Sequence, residues 1–331
     1  NSINYVHLKN TSTNLSIIYS TSYQNKIYNQ RSSFMFDIKI GTLIPAEHAL
    51  KMIPQLNPLG FESYELNFGS AESAKMDLCE FSKKIEEVLE GRRISALGFY
   101  CNPIKNENER EGIANLIKSA HLFNCNCIGT FAGGNEKKVP DTIPDFVRAF
   151  KPLVELAESK GVKIGLENCG DGWNGDTYNI AFCPEAWELI FNEIPSDNLG
   201  LEWEPCHALM ALIDPIAQLR KWAKKVVHVH GKDATIAHDV IREYGIRGIH
   251  QFAWNRTPGF GDTNWSDIVT ILIQNGFKGA IDIEGYHDPV HYDDMEWTAQ
   301  TTSLNYLKRC RGGVQYIDGP YEYRGFQGKR K

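Results

Sequence analysis

The chain has 331 residues, of which 42% are hydrophobic and 11% aromatic, enough for one large packed domain with tails. Lys and Arg number 35 against 41 Asp and Glu, and the resulting net charge of −6 disfavours binding to a nucleic-acid backbone. No run of about 18 apolar residues occurs, so no membrane-spanning helix is expected.

Residues 1–34 stand apart. Positions 1–33 are rich in Asn, Ser, Thr and Tyr, contain no Asp or Glu, and lack the apolar stretch of a signal peptide. They read as a disordered leader or as an extension upstream of a start at Met35. The run Phe36-Asp37-Ile38-Lys39-Ile40-Gly41 is the first strand candidate. Strand candidates end near Thr42, Phe68, Tyr100, Thr130, Glu167, Glu204, His230 and Glu284, judged by short apolar or β-branched runs. Between them the apolar period is that of helices, including 76–90, 113–123, 143–160, 184–194, 215–222, 265–275 and 295–310. Helix stops are expected at Glu90-Gly91, Lys160-Gly161 and Asn275-Gly276, and helix starts at Pro184 and Pro215.

Eight strand–helix units predict an α/β fold, a closed (β/α)₈ barrel with a parallel eight-stranded core over residues 35–311 and a tail at 312–331. The alternative, an open doubly wound sheet, would usually bring a glycine-rich phosphate turn after the first strand, where this chain has Gly41-Thr42-Leu43-Ile44-Pro45. Most intervals between strand ends are 26–37 residues, but the last is 54. The excess marks an insertion at about 234–264, of the kind that forms a lid or substrate loop.

The eight cysteines form no CxxC pair and several sit in apolar runs, so they read as buried, reduced thiols of a cytoplasmic protein. Cys206, beside His207, reads as a packing residue rather than a nucleophile.

Glu167, Glu204, His230 and Glu284 each close a buried strand. Charge at such positions is costly unless it is paired or holds a metal, and in a barrel these strand ends converge on one mouth. Three carboxylates and an imidazole therefore suggest a divalent-metal site. Glu202 shares a side with Glu204, and His228 with His230, because side chains alternate along a strand. Glu204 and His230, nearer the mouth, are the stronger ligand candidates; Glu202 and His228 are the alternatives. Hard oxygen donors with one imidazole suit Mn²⁺ first, then Mg²⁺ or Co²⁺, with Zn²⁺ tolerated.

The motifs Gly165-Leu166-Glu167-Asn168, Glu204-Pro205-Cys206-His207, His228-Val229-His230-Gly231-Lys232-Asp233, 258–265 (PGFGDTNW) and Asp282-Ile283-Glu284 follow one another on successive strand ends. In that order they resemble the xylose isomerase-like barrel superfamily, in particular its sugar (and sugar-phosphate) isomerase/epimerase group. The resemblance implies that Glu167, Glu204, His230 and Glu284 ligate one divalent metal ion, that Glu167 and Glu284 double as proton-transfer bases, and that His207 contacts a substrate hydroxyl. Many epimerases of the group have Asp where this chain has Glu204. Lys232, Arg256 and Trp173 are further substrate-binding candidates, and Trp203, Trp254 and Tyr286 are aromatics expected near the mouth.

The chemistry expected is proton abstraction next to a carbonyl of a small carbohydrate, giving an enediolate. The alternative is elimination or hydration on a 3-keto-glycoside, including C-glycoside cleavage, which shares this first step. A metal-dependent endonuclease of the same barrel family would need histidines where this chain has Tyr100-Cys101-Asn102 and Thr130-Phe131. A non-catalytic sugar-binding protein would not need two carboxylates around a metal. Neither a nucleic acid nor a membrane is expected as partner; a homo-oligomer is compatible with the sequence.

Overall fold

The computed structural model describes residues 38–170 and 178–312. Seven strands follow in order: β1 (Lys39–Pro45), β2 (Ser63–Asn67), β3 (Arg93–Gly98), β4 (Cys127–Thr130), β5 (Lys163–Glu167), β6 (Leu199–Trp203) and β7 (Val226–Gly231). An antiparallel hairpin, β8 (Asp233–Ile236) and β9 (Ala253–Arg256), comes next, and then β10 (Ala280–Ile283). The barrel closes in the order β1-β10-β7-β6-β5-β4-β3-β2, with every pair parallel. This is the (β/α)₈ barrel that the strand count predicts, and the hairpin with its short helix His238–Tyr244 lies between β7 and helix Trp265–Gln274.

Alternation along each strand separates two environments. Ile164 and Leu166 on β5, Leu199 and Leu201 on β6, and Ile281 and Ile283 on β10 are fully buried in the apolar shell shared with the helices. Each such side chain contributes about 1.5–3 kcal/mol by leaving water. The residues between them face the barrel axis. Helix punctuation is local and legible. Asp77, Asn106, Asp214 and Asn264 cap helix starts by accepting backbone N–H bonds. Gly161 ends helix Val139–Lys160 at φ +65°, a conformation that glycine adopts without a Cβ penalty. No helix among the described residues is long and apolar enough to cross a membrane.

Candidate metal centre

Three strands send polar residues toward the barrel axis in pairs two apart: Glu202 and Glu204, His228 and His230, Asp282 and Glu284. Glu204 and Glu284 lie just beyond their strands, and the Glu284 amide continues the ladder by donating to the Gly231 carbonyl (3.1 Å). The pairs stack as two layers of charge inside one barrel.

The lower layer is a hydrogen-bonded network. Glu65 Oε2 lies 3.0 Å from His228 Nε2 and 3.1 Å from His230 Nε2. The Tyr100 hydroxyl bridges Glu65 and Glu202. Asp282 accepts from Ser63 and Ser95 and lies 3.1 Å from His228 Nε2. Glycines make this layer possible. A Cβ on Gly129 would sit 2.5 Å from Glu202 Oε1, one on Gly98 2.5 Å from Glu65 Oε1, and one on Gly41 would collide with Asp282. Burial pushes Glu65 up, but the His230 and His228 imidazoles outweigh it and hold the carboxyl well below its usual range. Glu202 is raised to about 8 by burial and by the Glu65 charge. His228 is raised to about 10 because its bonds to Asp282 and Glu65 overcome burial.

The mouth layer differs. As in the lower group of Glu65, Glu202, His228 and His230, one donor atom from each of Glu167, Glu204, His230 and Glu284 lies within 4.8 Å of all the others. His230 Nδ1 is 3.3 Å from Glu284 Oε2, 3.5 Å from Glu204 Oε2 and 3.6 Å from Glu167 Oε1. His230 Nδ1, both Glu204 carboxylate oxygens and Glu284 Oε2 are buried without a hydrogen-bond partner. Buried polar atoms are rarely left so. Three carboxylates and an imidazole nitrogen are also a donor set that suits a divalent cation, so the residues present fit one. Backbone anchors hold the set in place. Asn168 clasps the Glu204 backbone at both N–H and C=O (2.7 and 2.9 Å), and Asn179 holds the Glu167 carbonyl at 2.9 Å. The lower layer holds the other ring nitrogen of His230, which turns Nδ1 toward the mouth.

Charges in the mouth are unevenly compensated. Burial lifts Glu167 well above the carboxylate range, and His230 offsets this only in part. Burial acts on Glu204 as well, yet His207, Lys232 and His230 hold it well below that range. Burial pushes Glu284 up, but Lys232 and His230 together outweigh it and lower the carboxyl. Lys232 Nζ lies 2.8 Å from Glu284 Oε1 and 3.8 Å from Glu204 Oε1. Those two carboxylates overcome burial and keep Lys232 an ammonium.

Above this layer opens a cavity of about 960 Å³, lined in part by Glu167, His207, His230, Lys232 and Glu284. The family's sequence profile, that of the xylose isomerase-like TIM barrel, matches residues 54–310. The chain belongs to that family. Its uncharacterized relative YfiH of Bacillus subtilis (strain 168) is 24% identical over 272 residues, covering 68% of this chain and 84% of that protein. Inosose dehydratase of Clostridium tetani (strain Massachusetts / E88) is 28% identical over 160 residues, covering 46% of this chain and 50% of that enzyme. The solved apo structure of the E. coli 3-keto-D-glucoside 4-epimerase YcjR superposes with a TM-score of 0.63 at 15% identity. It covers 82% of this chain and 100% of that one, a likeness of fold.

The remaining candidates fall differently. His207, in the first turn after Pro205, places Nε2 3.2 Å from Glu204 Oε1 and lines the cavity. Arg256 is not among the described lining residues. Its Nε lies 3.4 Å from Asp288 Oδ2, and its neighbour Asn255, on the opposite face of β9, lines the cavity instead. Trp173 lies outside the described residues. Trp203 points away from the axis and donates to Gln218 at 2.8 Å, so it packs rather than faces the mouth. Trp254 is not among the described lining residues either, whereas Tyr286 is. The eight cysteines are free thiols; burial, then the Glu204 charge, push Cys206 well above its ordinary value, which keeps it protonated. The Pro258–Trp265 motif wraps Asp233, which accepts from Gly259, Thr263 and Trp265 and ties the loop to β8. Sequence reasoning misses Glu65, Asp282 and Tyr100 as members of the site. For Asp282 a signal exists, because it stands two before Glu284 as Glu202 does before Glu204.

Proposed function

We propose that this protein is a divalent-cation-dependent sugar isomerase or epimerase that moves a proton at a carbon next to a carbonyl. The observation that carries the reading is the cluster of buried, unpartnered donor atoms of Glu204, His230 and Glu284, with Glu167 beside them, of which Glu167, His230 and Glu284 line the cavity. Glu167, Glu204, His230 and Glu284 would hold the cation, with Mn²⁺ the first choice before Mg²⁺, Co²⁺ or Zn²⁺. When bound, it would supply Lewis-acid stabilisation of negative charge on the substrate oxygens.

The chain's own residues do the rest. Glu167 and Glu284 reach the centre from β5 and from the end of β10, which β6 and β7 separate in the barrel. Carboxylates approaching from two sides suit the removal of a proton on one face of a substrate and its return on the other. Lys232 orients Glu284 and keeps it ionised through their 2.8 Å ion pair. His207, on the cavity wall, is placed to bond a substrate hydroxyl. The inosose dehydratase and the 3-keto-D-glucoside 4-epimerase named above agree with chemistry of this class.

The test is NMR in heavy water with a panel of free ketoses, inososes and keto-glycosides, with Mn²⁺ present or chelated. Deuterium uptake at one carbon, stopped by chelation, is expected. An eliminated product in place of an isomer or epimer would move the protein to the lyase reading. Absence of exchange across the panel would overturn the proton-transfer reading.

A further inference from the structure

Asn255 lines the cavity from β9, where Ala234 is its partner in the hairpin. It is half-buried and is not one of the four residues of the metal centre. Its side chain is tied at one end only. The Cys206 thiol lies 3.0 Å from Oδ1 and donates to it, whereas Nδ2 has no hydrogen-bond partner among the described residues.

Cys206 reaches β9 from the strand end that carries Glu204. Pro205, Cys206 and His207 open helix Pro205–Met210 directly after Glu204. His207 turns toward Glu204 and the cavity. Cys206 turns the other way, fully buried and a free thiol, and meets Asn255.

Which end of the amide faces the ligand follows from the chemistry of its neighbours. A thiol is a weak donor and its sulfur a weak acceptor. The amide oxygen is a better acceptor for the S–H than the Met210 thioether, which lies 3.7 Å from Sγ. With the amide turned over, its NH₂ would be spent on sulfur and its oxygen would face the cavity. The lining there carries the carboxylates of Glu167, Glu284 and Glu296, and an amide dipole beside anions is favoured with its NH₂ end toward them. A few placed polar groups of this kind fix the orientation of a small ligand.

We propose that Asn255 determines specificity at this site: its side-chain NH₂ donates to an oxygen of the bound carbohydrate, and the Cys206 thiol holds the amide the right way round. Cys206 is thereby a positioning residue, beyond the packing role that its burial suggests. This rests on the reading that a carbohydrate occupies the cavity, and it adds a contact made independently of the cation.

The test uses Mn²⁺-supplemented protein with three probes: fructose, an inosose and methyl 3-keto-glucoside. Affinity is read by calorimetry and deuterium uptake by NMR. Asn255→Asp keeps the shape of the side chain but replaces the donor with an acceptor. It should weaken the best-binding probe roughly 10–100-fold, and Asn255→Ala roughly 3–10-fold, with Mn²⁺ affinity unchanged in both. Cys206→Ala frees the amide to turn over and should cost about 3–10-fold. Cys206→Ser, whose hydroxyl donates in place of the thiol, should recover most of that loss. In the Asn255→Ala background, Cys206→Ala should cost nothing further. A packing role alone predicts that serine does no better than alanine, because it adds a polar group to a buried site.

Parent affinity in Asn255→Asp, or an equal loss of Mn²⁺ binding in that variant, would overturn the proposal. So would a serine variant no better than the alanine one. If the probes follow the expected pattern but none takes up deuterium, the contact stands and the proton-transfer reading falls. Deuterium uptake with parent affinity in both Asn255 variants would remove the contact and leave that reading standing. Binding of no probe by the parent protein would overturn both.

Discussion

The two layers of charge inside this barrel share strands β6, β7 and β10 and both combine carboxylates with imidazoles, yet their bonding differs. In the lower layer, Glu65, His228 and Asp282 each meet a partner within 3.1 Å, and glycines on β1, β3 and β4 leave room for the carboxylates. In the mouth layer, His230 Nδ1, Glu284 Oε2 and both Glu204 oxygens have no hydrogen-bond partner. Glu202 Oε1 is the one carboxylate oxygen of the lower layer in that state. Buried charge therefore points to a ligand only after its partners have been counted. A paired cluster accounts for itself, whereas an unpaired one facing a cavity calls for something to bind.

Substitutions that should act on one layer and spare the other sharpen this contrast. The largest effect is expected at the mouth. Glu284→Gln keeps the shape and one ligand oxygen but cannot accept a proton, so exchange into substrate should fall on the order of 10²–10⁴-fold. Thermal unfolding should shift less than in Asp282→Ala, since the glutamine amide oxygen still accepts from Lys232 Nζ. Asp282→Ala should do the opposite. It leaves His228 charged and buried beside Ser63 and Ser95 without their acceptor, at a cost of about 3–5 kcal/mol in urea denaturation. A neutral Asp282→Ala would break the comparison, because the lower layer would then not be structural.

Gly129→Ala is expected to be milder. Its Cβ would fall 2.5 Å from Glu202 Oε1, and overpacking of this kind costs about 1–3 kcal/mol. Denaturation that matches the parent protein would show that the Glu202 side chain can move aside freely.

The smallest effect concerns the loop after β10. Burial pushes Asp288 up, but the amides of Val290, His291 and Thr257 outweigh it and hold its carboxyl at about 2, against about 4 in an unfolded chain. A depressed carboxyl contributes stability that is complete above pH of about 4 and is lost as pH falls toward 2. Asp288→Asn should lower stability at neutral pH by roughly 1–3 kcal/mol and flatten its fall between pH 4 and 2. An unchanged acid limb in that variant would assign the fall to other carboxylates.

Much of this is legible in the sequence. The eight barrel strands end at or within a few residues of the positions read from apolar runs, because each run is buried and bounded by turn residues. The helix expected at 113–123 begins earlier, at Glu107, since its first turns (Glu107-Asn108-Glu109-Arg110-Glu111) are polar and show no apolar period. The four mouth residues stand out as charges closing strands. The lower layer does not, because Glu65 lies within the run Tyr64-Glu65-Leu66 and its partners come from the turn after β3 and from β7. Only closure of the barrel brings those strands face to face. Arg256 misses the cavity for a related reason. The sequence does not reveal the register of the β8–β9 hairpin, and a shift of one residue exchanges the face of Arg256 for that of Asn255.

The most direct test of the central claim is calorimetric titration of Mn²⁺ into chelator-stripped protein, comparing the parent with Glu204→Ala and with Glu202→Gln. One cation per chain is expected in the parent and in Glu202→Gln, with loss of that binding in Glu204→Ala. Absence of binding in the parent, or undiminished binding in Glu204→Ala, would contradict a metal centre in the mouth layer.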